Sequence, residues 1–145
     1  MKRLGEILLE RGLIDVSELH TGLEACHHKG GRLGSHLLNF GFVDEHALLQ
    51  ALSTQLDVPS VPMKVLCRAP EALRRLLPLQ IARRLRVVAF DRDGENLSVA
   101  MMTPRSPATL AEIVSHVGQV IKPHVATEIA ILTALAELKE EYAAG

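Results

Sequence analysis

The feature that most constrains the fold of this chain is an internal repeat within its first 55 residues. When residues 3–26 are placed over residues 32–55, an offset of 29, nine of the 24 aligned positions are identical. An Arg-Leu-Gly triplet stands at the head of each copy. A repeat of this length cannot bury a hydrophobic face alone, so we expect the two copies to pack against each other.

Each copy has the pattern of a short helix, a turn and a longer helix. Leucines recur at helical spacing, and Gly12 and Gly41 follow the short helices, where a left-handed cap favours glycine. Asp15 opens a sequence typical of a capping box, and Asp44 is the matching cap in the second copy. The sequence therefore predicts a four-helix subdomain over residues 1–57, built from two helical hairpins.

The pattern changes after the repeat. Residues 58–63 contain two prolines and are interpreted as a linker, followed by a second subdomain over residues 64–145. This second part begins with two helical turns that we expect to be separated at Pro78.

Further along, two apolar runs flank the Asp93-Gly94 pair, which indicates a β-hairpin. Ser106 and Thr127 are predicted N-caps of two later helices, and a short strand is expected between them, over "QVIKPHVA". The order ββαβα predicts a small α/β sandwich. The fold class expected for the whole chain is α+β.

Composition excludes several function classes. Seventeen acidic residues balance 16 basic ones and aromatics make up 3% of the chain, so we expect no nucleic-acid partner. No apolar run approaches the length of a membrane span, so we expect no membrane insertion and a cytoplasmic location. Cys26 and Cys67 lie far apart without a CxxC motif, which favours reduced thiols.

The repeat resembles a known family. Paired Arg-Leu-Gly units followed by "RLLPLQIARRLRVVAF" and "LSVAMMTP" are similar to the N-terminal domain of the ATPases that drive type II secretion and type IV pilus assembly, in its MshEN form. In that family the tandem motif binds cyclic di-GMP. The resemblance implies ligand-binding residues at the matching positions, which are Arg3, Leu4, Gly5, Leu8, Leu19, Leu23, Arg32, Leu33, Gly34, Leu37, Leu48, Leu52 and Gln55.

The chain departs from the family pattern at two positions. Cys26 stands where the second copy has Gln55, and Thr103 stands where the family usually has an aspartate. Each departure removes a polar group from the implied site. An interaction adaptor of secretion or pilus machinery that has lost nucleotide binding is therefore the alternative.

The chemistry of these residues suits the implied ligand. Cyclic di-GMP is nearly two-fold symmetric, so two similar half-sites match it. Arginine offers a planar fork of donors to phosphate or guanine, glycine permits close approach, and leucines form an apolar bed for purines. The chain contains no GxxxxGK[ST] motif, so we expect a non-catalytic regulatory module without a cofactor or metal. The resemblance implies a secretion or pilus ATPase, or an inner-membrane platform protein, as its partner.

Other interpretations of the same residues remain open. The leucines suit a core equally well, and the Arg-Leu-Gly glycines also suit close helix packing. A metal site at His20, Cys26 and His27, or a nucleophilic Cys26 or Cys67, is conceivable but lacks supporting spacing. A basic tract is either solvated or a docking surface for a partner; its members are Arg68, Arg74, Arg75, Arg83, Arg84 and Arg86.

Overall fold

The computed structural model describes residues 2–138, so the part of the predicted closing helix beyond residue 138 lies outside the described residues. The repeat forms four helices: α1 (Leu4–Glu10), α2 (Val16–Lys29), α3 (Leu33–Asn39) and α4 (Glu45–Leu56). The rest of the described chain forms α5 (Met63–Arg68), α6 (Glu71–Arg74), α7 (Leu79–Leu85), β1 (Val87–Asp93), β2 (Asn96–Met101), α8 (Pro107–Val117), β3 (Val120–Val125) and α9 (Glu128–Ala136).

The four repeat helices are arranged with a local two-fold pseudosymmetry. Helix α2 packs against α3 and α4 packs against α1, while α1 and α3 contact each other between them. Exchange of the first copy for the second turns the α2–α3 contact into the α4–α1 contact and leaves the α1–α3 contact unchanged. The pseudosymmetry places Leu8 and its equivalent Leu37 at the centre, where both are fully buried.

The short helices of the repeat end at the glycines, and the long ones begin at the aspartates, that the sequence predicts as caps. Gly12 and Gly41 have positive φ angles of 69° and 78°, in the left-handed region. The N–H of Gly12 donates to Leu9 and that of Leu13 to Leu8, which together form a Schellman motif, and the second copy repeats both bonds. Asp15 accepts the Glu18 N–H within a complete capping box, as predicted.

The segment that joins the repeat to the rest is tied to the sheet. Val61 donates its N–H to the Val125 carbonyl, and Val125 donates its N–H to Pro59. The Val61 side chain is buried in the hydrophobic core formed by the sheet and its helices, which we call the second core. These bonds extend the parallel edge of the sheet beyond β3. The subdomain boundaries drawn from the sequence stay a prediction.

The sheet has the order β1-β2-β3. Strands β1 and β2 form the expected antiparallel hairpin, which turns at Gly94 with φ of 60°. Strands β2 and β3 are parallel, and α8 supplies the crossover that a parallel pair requires. Helices α5, α6, α7 and α9 pack on β1, while α8 packs against β3. The α+β fold class is confirmed, and α5 is an element that the sequence pattern did not indicate.

Candidate functional site

The Arg-Leu-Gly glycines lie where the two copies of the repeat touch. A Cβ placed on Gly5 would lie 2.8 Å from Leu19 of its own copy and 3.5 Å from Leu33 of the other. A Cβ placed on Gly34 would lie 3.1 Å from Leu48 and 3.4 Å from Leu4. The two sets of contacts are equivalent under the offset of 29. Close helix packing is therefore one reason for glycine at both positions.

The two kinds of helix in the repeat begin differently. The long helices α2 and α4 are capped by the carboxylates of Asp15 and Asp44. The short helices α1 and α3 have Arg3 and Arg32 at the N-cap position, and neither side chain makes a capping hydrogen bond. Because an arginine side chain cannot accept a hydrogen bond, the first N–H groups of these helices are left for another acceptor.

A cleft of about 720 Å³ opens at the start of α3. This volume falls within the range of roughly 300–1,000 Å³ that is typical of small-molecule sites. On the side of the repeat, the cleft is lined by seven of the residues named from the sequence, which are Leu4, Arg32, Leu33, Gly34, Leu48, Leu52 and Gln55. The arginine and the amide stand beside an apolar surface of leucines, which is the usual composition of a ligand pocket.

The opposite wall of the cleft comes from the end of β3 and the start of α9. Residues 125–129 line it, together with Met102 and Leu132. Thr127 caps α9 by accepting the Ala130 N–H, so the N–H groups of Glu128 and Ile129 have no partner within the helix. The starts of α3 and α9 therefore both contribute to the lining of this cleft, and each carries partial positive charge.

Six of the residues named from the sequence do not line this cleft. Leu8 and Leu37 are fully buried in the core of the repeat. Gly5 is buried and Leu19 packs partly buried against the same core. Arg3 and Leu23 are exposed, and Leu23 retains 50% of its accessible surface. Their assignment to a ligand site stays a prediction.

The cleft also contains polar residues that the sequence pattern did not single out. Ser35, His36 and Asn39 lie on α3, and Glu128 opens α9. The His36 ring shares a hydrogen bond of 2.6 Å with the Gly30 carbonyl, from Nε2. A general rule does point to the wall opposite the repeat. Ligands of α/β units bind beyond the carboxyl ends of parallel strands, and β3 ends at this wall.

The metal and nucleophile interpretations gain no support. Among residues 2–138, no three His, Cys, Asp or Glu side chains are placed to hold a metal ion. Burial and a hydrogen bond with Glu137 raise the pKa of the Cys67 thiol, whereas an activated nucleophile needs a lowered pKa. In the same described residues, no helix is both long and apolar enough to span a bilayer.

The basic tract is largely paired with acidic side chains. Its ion pairs are Arg74 with Glu137, Arg75 with Glu71, Arg84 with Glu112 and Arg86 with Glu128. A hydrogen bond from Arg84 lowers the pKa of the Glu112 carboxyl. The charge of the tract is therefore partly balanced at the surface of the fold itself.

Two curated proteins are similar in sequence to nearly the whole of this chain. The chain is 32% identical over 138 residues to the type IV pilus assembly ATPase PilB of Thermus thermophilus, which covers 94% of this chain and 15% of that ATPase. PilB of Myxococcus xanthus is 32% identical over 133 residues, covering 92% of this chain and 23% of that protein. The chain thus spans less than a quarter of the curated relatives it matches.

Two solved structures share the architecture. A structure of MshE with cyclic di-GMP is 30% identical with a TM-score of 0.69, and the match covers 96% of this chain and all of that one. The N-terminal domain of XpsE is 19% identical with a TM-score of 0.66 over 95% of this chain and 94% of that one, which is a likeness of fold alone. The sequence profile of the MshEN domain matches residues 56–143, more than half of the sequence. The chain therefore belongs to the MshEN domain family.

Proposed function

We propose that this chain is a non-catalytic regulatory module that binds cyclic di-GMP and acts in the cytoplasm on a type IV pilus or type II secretion ATPase. The observation that carries the proposal is the cleft, in which Arg32 and Gln55 stand beside leucines and face the start of α9. The likeness to MshE with cyclic di-GMP over nearly the whole chain supports the same ligand class.

The cleft offers a distinct contact to each part of such a ligand. Within residues 2–138 the Arg32 guanidinium has no ion-pair or hydrogen-bond partner, so it is available to a phosphate. Unsatisfied N–H groups at the start of α3, beside Arg32, can donate to the same anionic groups. The Leu33, Leu48 and Leu52 side chains would contact the purine faces.

The pseudosymmetry of the repeat supports a second half-site. Arg3, Gly5 and Leu19 are the equivalents of Arg32, Gly34 and Leu48, and the two copies meet through Leu4 and Leu33. A ligand with nearly two-fold symmetry would straddle this junction and contact both copies. The first half-site has Cys26 in place of the amide, so we expect the second copy to contribute more of the affinity.

Isothermal titration calorimetry with cyclic di-GMP tests this proposal. We expect the wild-type chain to bind, and Arg32→Ala to weaken binding about 10- to 150-fold through loss of a charged hydrogen bond of roughly 1.5–3 kcal/mol. Gln55→Ala should cost about fivefold, since a neutral hydrogen bond contributes roughly 1 kcal/mol.

Two matched controls accompany the titration. Arg92→Ala removes the same charge from the exposed hairpin, and Gln50→Ala removes the same amide from the exposed side of α4. Both should bind as wild type does. Equal binding by wild type and Arg32→Ala would contradict the site, and absence of binding by wild type would favour the adaptor alternative.

A further inference from the structure

The wall of the cleft opposite the repeat carries a carboxylate. Among the described residues that line the cleft, Glu128 is the sole acidic one, and it lies at the first position of α9. Its side chain is 40% exposed. A carboxylate is an unexpected neighbour for a ligand with two phosphates, because like charges repel. A group on the ligand that a carboxylate binds would offset this repulsion.

One oxygen of Glu128 is occupied and the other is available. Oε2 accepts a hydrogen bond of 3.4 Å from Nε of Arg86, whose guanidinium also donates to the Arg83 carbonyl. Within residues 2–138, no side-chain or backbone donor reaches Oε1. The ion pair with Arg86 offsets part of the negative charge of the carboxylate. Glu128 thus has, in the lining of the cleft, an acceptor oxygen without a partner in the described part of the chain.

Guanine is the part of the proposed ligand that complements such an acceptor. Its N1–H and its exocyclic 2-amino group are adjacent donors that one carboxylate can accept, because Oε1 has no partner among the described residues and Oε2 keeps a second lone pair beside the one that Arg86 engages. Adenine has an acceptor at N1 and no 2-amino group, so the same carboxylate would oppose it. We propose that Glu128 selects guanine by accepting hydrogen bonds from this edge of one base. The proposal rests on the proposed function, since it assigns a base-reading residue within that binding site.

The experiment compares two ligands that differ by a single group on each base. Cyclic di-GMP and cyclic di-IMP are identical except that inosine lacks the 2-amino group. Both are titrated by calorimetry into the wild-type chain and into Glu128→Gln, whose amide would direct a donor towards the guanine donors. We expect wild type to prefer cyclic di-GMP by about tenfold, and Glu128→Gln to reduce this preference to less than about threefold.

The control is Glu112→Gln. Glu112 also forms an ion pair with an arginine at the surface, Arg84, but does not line the cleft. This variant should keep the tenfold preference. Glu128→Ala is a second variant that lacks the carboxylate. Thermal melting of each variant reports whether it is folded.

The outcomes separate the two proposals. A loss of preference in both Glu128 variants, with the preference retained in Glu112→Gln, supports the assignment. A change that affects both ligands equally would mean that Glu128 acts only through charge or structure, which overturns the inference and leaves the proposed function standing. Failure of wild type to bind either ligand would overturn both.

Discussion

Three small residues determine how closely the helices of the repeat approach one another. Gly5 and Gly34 lie at the contact between the two copies, and Gly22 of α2 lies against α3. A Cβ on Gly22 would lie 2.8 Å from Leu33 Cδ1 and 2.9 Å from Leu37 Cδ2. Leu33 lines the cleft and Leu37 is fully buried, so Gly22 connects the packing of the core to the shape of the site.

The first prediction concerns Gly22→Ala. Alanine favours a helix by about 1 kcal/mol over glycine, but here the added methyl group must displace two leucines. We expect the clash to prevail and the free energy of unfolding to fall by about 1–3 kcal/mol, measured by urea denaturation. Thr21→Ala, at the exposed neighbouring position, is the control. An increase in stability for Gly22→Ala would show that α2 and α3 are not in such close contact.

The second residue-scale prediction concerns Cys67. Burial and the Glu137 hydrogen bond raise its pKa, so the thiolate is scarcer in the folded chain than in the unfolded one at the same pH. In a Cys26→Ser background, the rate of reaction with iodoacetamide increases with pH as the Cys67 thiolate forms. We expect this increase to occur at a higher pH for the native protein than for the protein unfolded in urea. The preference for the neutral thiol stabilises the fold below the unfolded pKa, and this contribution is lost as pH rises through the folded pKa. Identical pH profiles in the two states would contradict this account.

At the scale of elements, the caps explain why each copy forms two helices rather than one. The left-handed glycines Gly12 and Gly41 end the short helices, and Asp15 and Asp44 begin the long ones three residues later. The caps of the long helices are supplied by the chain itself. Those of the short helices are not, since neither Arg3 nor Arg32 makes a capping hydrogen bond.

Replacement of Asp15 tests the contribution of a cap. Asp15→Ala removes the acceptor for the Glu18 N–H and should lower the free energy of unfolding by about 1 kcal/mol, within a range of roughly 0.5–2. Asp15→Asn retains a side-chain oxygen and should cost less than half as much. Thermal and urea unfolding of both variants measure the difference. If asparagine proved as costly as alanine, the hydrogen bond would not be the source of the stability.

Most elements could be predicted because their boundaries depend on local chemistry. The turn at Gly94, the caps Ser106 and Thr127 and the interruption at Pro78 all lie where the sequence placed them. Helix α5 was missed because six residues are too few to show a helical periodicity, although four of them are good helix formers, and because they directly follow the proline-rich segment. Tertiary contacts with β1 and α9 stabilise it instead.

The site could be predicted only in part. The family resemblance carried by the repeat names the residues of one wall of the cleft, Arg32 and Gln55 among them. The other wall depends on how the sheet is placed against α4, which no local pattern encodes. Glu128 is therefore recognisable as a lining residue only once β3 and α9 are in position.

At the scale of the whole molecule, the cleft exists because the repeat and the sheet are held together. Helix α4 packs against β3, the Arg105 guanidinium donates to the Leu56 carbonyl, and Glu45 accepts the Met63 N–H at the start of α5. A ligand in the cleft would touch both parts at once and stabilise their present arrangement. Ligand binding would in this way favour one orientation of the repeat relative to the sheet.

The central claim is that cyclic di-GMP binds in this cleft, and NMR of ¹³C-methyl-labelled leucine tests it most directly. Leu4, Leu33 and Leu52 line the cleft, whereas Leu66 and Leu97 are fully buried in the second core. During titration with cyclic di-GMP, the account predicts large chemical-shift changes at the cleft methyl groups and small ones at Leu66 and Leu97. Cleft methyl resonances that remain unchanged at saturating nucleotide would contradict it.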